Sequence, residues 1–112
     1  MNYEQIAMQL KAMADPKRVK IIDLLSCGDL CACDILEHFE FTQPTLSHHM
    51  KILEKAGIIS VQKQSQWHYY SLENEFVQTF MGTMSNLFSN QEESCVCHTQ
   101  CDVNENKIES IK

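Results

Sequence analysis

The sequence predicts a mainly α-helical domain carrying one β-hairpin, an α+β arrangement, and three observations predict it. Apolar residues recur at helical spacing through the first half of the chain. After Gly57 the period changes to strict alternation. Helical spacing then returns before a polar, acidic C-terminal stretch. At 112 residues and 44% hydrophobic composition, the chain has the size and apolar content of one domain plus a tail.

The first helix places Ile6, Leu10 and Met13 on one face, with Met8 and Ala12 nearby, and is expected to stop near Ala14. Asp15-Pro16 is a start signal for the second, with Asp as N-cap and Pro at the first helical position. That helix carries Val19, Ile22 and Leu25 and ends before Gly28, where Ser26-Cys27-Gly28 supplies turn chemistry. A short third helix from about Ala32 buries Ile35, Leu36 and Phe39, and Glu40-Phe41 makes a tight link. Thr42 is the expected N-cap of a fourth helix, which turns Leu46, Met50 and Leu53 inward and stops at Gly57.

Ile59 and Val61 alternate with Ser60 and Gln62, while Trp67, Tyr69 and Ser71 alternate with His68, Tyr70 and Leu72. Lys63–Gln66 forms the hairpin tip, and Trp67 and Tyr69 are expected to anchor the hairpin against the core. A last helix from Glu73 to Ser89 carries Phe76, Phe80, Met84, Leu87 and Phe88. Residues 1–89 are thus expected as the folded domain and residues 90–112 as a flexible, acidic, cysteine-containing tail.

A tight helix-turn-helix followed by a two-stranded wing is a nucleic-acid-reading architecture, the winged helix-turn-helix. The net charge of −6 opposes it, but residues 1–90 hold seven basic against ten acidic side chains, so half the excess lies in the tail. Affinity for a polyanion follows a local basic face rather than the total. No segment approaches the roughly eighteen consecutive apolar residues of a membrane span, and no secretion signal opens the chain. The expected location is the cytoplasm, without a membrane partner.

Six cysteines fall in two clusters, Cys27, Cys31 and Cys33, then Cys95, Cys97 and Cys101. Under reducing conditions such clustering points to metal binding or redox sensing rather than to a disulfide framework. Thiolates are soft ligands that select thiophilic ions. Residues two apart diverge on a regular helix, so Cys31 and Cys33 reach one ion only where the backbone departs from that geometry. No Cys-x-x-Cys at a strand-to-helix turn suggests a thiol oxidoreductase, and no catalytic set is expected.

Leu30-Cys31-Ala32-Cys33-Asp34 and Gln43-Pro44-Thr45-Leu46-Ser47-His48-His49-Met50, within the run from Leu25 to Ile59, resemble the core of the ArsR-type metalloregulatory repressors. The likeness extends from about residue 4 to residue 89 and is greatest to arsenic-responsive members. It implies a repressor of an arsenic-resistance operon that binds double-stranded operator DNA at an inverted repeat. Trivalent arsenic or antimony would act as inducer, and no other cofactor is required.

The outward residues of the fourth helix, Gln43, Thr45, Ser47, His48 and Lys51, suit base and phosphate contacts, with Lys63 added from the wing. His49, beside inward Leu46 and Met50, reads as structural. Met8, Phe76, Phe80, Met84 and Phe88 pack either within the chain or between two subunits. The resemblance favours a homodimer through the first and last helices, which sets two recognition helices about 34–36 Å apart.

Well-known arsenic sensors of the family carry a third cysteine where this chain has Leu36. The third thiolate must then come from Cys27, from Cys95, Cys97 or Cys101, or be missing. The last helix lacks the paired Asp/His and His/Glu positions of the zinc site that the family carries on that helix. Two alternatives stay open: the same fold responding to cadmium, lead or zinc, or a thiol redox switch.

Overall fold

A computed structural model describes residues 2–89. Its order is α1 (Tyr3–Met13), α2 (Pro16–Leu25), β1 (Leu30–Cys31), α3 (Ala32–Leu36), α4 (Gln43–Lys55), β2 (Ile59–Gln64), β3 (Trp67–Leu72) and α5 (Asn74–Phe88). The expected helices and hairpin are all present, and a short strand joins them. The strands form one antiparallel sheet in the order β1-β3-β2. The chain divides after Phe80 into two compact units. The first contains the core, and the second begins within α5 at Met81.

Local chemistry sets the helix boundaries. Asn2 caps α1 by accepting the Gln5 N–H at 3.0 Å. Asp15 caps α2 by accepting the Lys17 N–H at 2.8 Å, ahead of Pro16 at the first position. Thr42 stands at the N-cap of α4 in extended conformation, without a side-chain cap bond. At the other end of α4, Gly57 takes φ 78°; its N–H reaches the Glu54 carbonyl, and the Ile58 N–H reaches the Leu53 carbonyl, each at 3.0 Å. That is a Schellman closure, sealed by two fully buried side chains, Leu53 and Ile58.

The core joins Ile21 and Leu25 of α2, Ile35 of α3, Leu46, Met50 and Leu53 of α4, then Ile58, Ile59 and Tyr70. Two helix faces differ from expectation. Val19 is 52% exposed whereas Ile21 is fully buried, so the face of α2 is rotated. Both choices satisfy helical spacing, and Arg18 lies on the side that is turned inward. Its Nε donates to the Ala12 carbonyl at 2.6 Å and its Nη1 to His49 Nδ1 at 3.0 Å. On α1, Ile6 and Ala12 are buried and Leu10 is exposed. Ala12 joins the core, and Met13 packs against it.

The third helix ends at Leu36, so Phe39 lies beyond it and stacks on Phe41 with centroids 4.5 Å apart. In the hairpin the anchoring face is also reversed. Tyr70 is buried, whereas Trp67 and Tyr69 are 48% and 38% exposed. Lys63 and Gln64 belong to β2, leaving Ser65 and Gln66 as the turn, with Ser65 at φ 59°.

Candidate functional site

The strand β1 was not expected, and it is what places the thiols. Leu30 pairs with Tyr70 and Cys31 with Tyr69, so Cys31 is laddered to the central strand of the wing. Cys31 is also the N-cap of α3, extended at φ −82° and ψ 163°, and Cys33 is the second residue of that helix. The strand-to-helix junction swings the two side chains to the same side. Their Sγ atoms lie 2.7 Å apart without any unwinding of α3. The sulfurs are already together, so an incoming ion need not draw them across a helix.

Cys31 is 6% exposed and Cys33 is exposed, so the pair has one buried and one open sulfur. The pKa of Cys31 is raised above its ordinary value, first by hydrogen bonding with the Cys33 thiol. The backbone N–H of Asp34 opposes the shift; burial and the Asp34 carboxylate reinforce it. Asp34 is the residue that sequence reasoning missed. Among the described residues, Cys31, Cys33 and Asp34 offer ligand atoms that all lie within 4.8 Å of one another. Its signal was present in Cys31-Ala32-Cys33-Asp34, but attention to thiols alone passes over a carboxylate.

Cys27 is exposed in the turn after α2 and does not belong to that group. Cys95, Cys97 and Cys101 lie outside the described residues. Leu36 is half-buried and offers no donor. Cys33 and Leu36 border a cavity of about 250 Å³ whose other walls include Gln43 from α4 and Gln66, Trp67 and His68 from the wing. Cys33 therefore adjoins both elements expected to read nucleic acid.

On α4, Gln43, Ser47, His48 and Lys51 are exposed and Thr45 is half-buried; Lys63 is exposed on β2. His49 is 7% exposed and faces inward, tied to Arg18. Two further cations stand beside the α3–α4 link. Lys17 lies over Phe41 at 5.8 Å, and Lys20 lies over Phe39 at 4.9 Å while donating to the His38 carbonyl. They add positive charge that the residue pattern of α4 alone does not reveal.

Comparison with known proteins places these features in a family. Residues 15–61 match the bacterial regulatory proteins of the ArsR family. An arsenical resistance operon repressor of Staphylococcus xylosus is 43% identical over 97 residues, covering 87% of this chain and 92% of that protein. The repressor of the same description from Staphylococcus aureus is 42% identical over the same length and coverage. In fold, the chain is similar to the crystal structure of an ArsR family transcriptional regulator. The TM-score is 0.67 at 24% identity, covering 81% of this chain and 97% of that one. With relatives this similar over nearly their whole length, the chain belongs to the ArsR family of bacterial regulatory proteins, and is a helix-turn-helix regulator rather than an enzyme.

Proposed function

We propose that this chain represses an arsenical-resistance operon from the cytoplasm, as a homodimer on an inverted repeat of double-stranded DNA. Trivalent arsenic or antimony bound at Cys31 and Cys33 releases it. The observation that carries the reading is the 2.7 Å approach of the two sulfurs at the junction of β1 and α3. The descriptions of the two staphylococcal relatives support the inducer class. Gln43, Thr45, Ser47, His48 and Lys51 of α4 take the major groove, and Lys63 approaches phosphate from the wing. The dimer draws on exposed apolar side chains of α1, Tyr3, Met8 and Leu10, and of α5, Leu87 and Phe88.

Release follows from what the thiols touch. β1 is hydrogen-bonded to the central wing strand, and Cys33 borders a cavity shared with Gln43 and Trp67. An ion that fixes both sulfurs biases the position of the wing against α4. The bias acts only if the ion prefers the DNA-free arrangement, by the same free energy with which DNA opposes the ion.

The test begins with a duplex that the protein itself selects from a random-sequence library. Its affinity is measured by fluorescence anisotropy with arsenite, cadmium or peroxide added. Wild type is expected to dissociate with arsenite, and the Cys31→Ser/Cys33→Ser variant to stay bound. Undiminished release of the double variant by arsenite would overturn the proposal. Release of wild type by cadmium alone, or by peroxide alone, would reassign the inducer.

A further inference from the structure

We infer that the third position around a metalloid held by Cys31 and Cys33 is an oxygen, and that the Asp34 carboxylate holds it there. The inference rests on the proposed binding of the metalloid by the two thiols and goes beyond it by naming how the site is completed. Cys31 Sγ, Cys33 Sγ and an Asp34 carboxylate oxygen lie within 4.8 Å of one another, the only such group of three His, Cys, Asp or Glu side chains among the described residues. Cys27 is outside it, and Leu36, one turn on from Cys33, presents only carbon. The polarity of the group also fits. Cys31 is buried, while Cys33 and Asp34 are exposed, so the carboxylate stands on the water-facing side.

The chemistry balances without any further reactant. Arsenous acid, with three hydroxyls on arsenic, meets two thiols. Two arsenic–sulfur bonds form, two arsenic–oxygen bonds break, and the thiol protons leave with the departing hydroxyls as two waters. Arsenic remains trivalent and no electron is transferred. One hydroxyl stays on arsenic, and its hydrogen is donated to the Asp34 carboxylate, a charge-assisted bond of the stronger kind. A carboxylate thus does in this chain, through one retained oxygen, what a third thiolate would do by direct ligation.

X-ray absorption at the arsenic edge, on the full-length protein with one equivalent of arsenite, decides the matter without any substitution. Two sulfurs and one oxygen around arsenic are expected, unchanged in Cys27→Ser and in the triple variant Cys95→Ser/Cys97→Ser/Cys101→Ser. Three sulfurs would overturn the inference while leaving Cys31 and Cys33 as the sensor. In DNA release, Asp34→Ala is expected to raise the arsenite concentration for half-release by about tenfold, read against that variant's own arsenite-free affinity for DNA. An Asp34→Ala protein that releases at the wild-type concentration would also overturn it. Arsenite release that survives Cys31→Ser/Cys33→Ser removes the underlying reading, and this inference with it.

Discussion

Arg18 and His49 show how one side-chain contact fixes a protonation state. A guanidinium only donates, so His49 Nδ1 must accept and the ring proton must sit on Nε2. The ring is held neutral. Its pKa is lowered from the ordinary histidine value, first by burial, with Arg18 adding and Asp15 opposing. The unfolded chain therefore takes up this proton at a higher pH than the folded one. The contribution to stability is complete above the ordinary histidine range and is lost as pH falls through it. Asp15, held low chiefly by the Lys17 N–H, loses its own contribution only at more acidic pH. Unfolding free energy from urea titration is expected to drop between about pH 8 and pH 5, within the span where histidine changes charge. His49→Gln is expected to flatten that slope and to cost about 1–3 kcal/mol at the upper end. A slope unchanged by the substitution would dismiss the pair as its source. At this scale the sequence was half legible. The inward place of His49 between Leu46 and Met50 could be read, but its partner lies 31 positions away, beyond any local pattern. Alternation likewise marked the wing residues without saying which face is buried, so Tyr70, not Trp67 or Tyr69, is the anchor.

Caps were the most legible features among the elements, because their chemistry is local. Asp15-Pro16 and Gly57 both stand where their side chains, or the lack of one, are needed. Gly57 allows a clean measurement. A Cβ added there meets nothing within 4 Å, so Gly57→Ala tests the left-handed backbone alone. The expected loss is about 1–2 kcal/mol of unfolding free energy, with recognition-helix contacts untouched. A neutral result would mean that the Schellman closure relaxes at no cost. The element that could not be read was β1. Two residues are too few for any period, and Leu30-Cys31 becomes a strand only because β3 offers it an edge. That omission mattered for the site. It hid the junction that aligns the sulfurs and left local unwinding as the only visible route.

At the level of the whole molecule, fold class and order of elements were legible because several local signals agreed, from caps to the change of period at Gly57. What escaped was the relation between distant parts, the rotation of α2 and the wing against Cys33; Asp34 beside both thiols was local and was passed over. The charge distribution leads to a prediction at this scale. Despite a total of −6, DNA affinity is expected to fall steeply with salt, because counterion release follows the local lysines. Lys51→Ala and Lys63→Ala are each expected to reduce the slope of log affinity against log salt by about 1. A slope indifferent to both substitutions would move the phosphate contacts elsewhere, with Lys17 and Lys20 next to be tried.

The sheet order has one more consequence, for the behaviour of the protein at high concentration. An open strand edge is a template for pairing with another chain, and proteins blunt such edges by shortness and charge. Here one edge is β1, two residues long. The opposite edge is β2, whose outer half is Gln62-Lys63-Gln64, exposed and carrying a cation. The same short strand that seats Cys31 also leaves the wing little edge on which to aggregate.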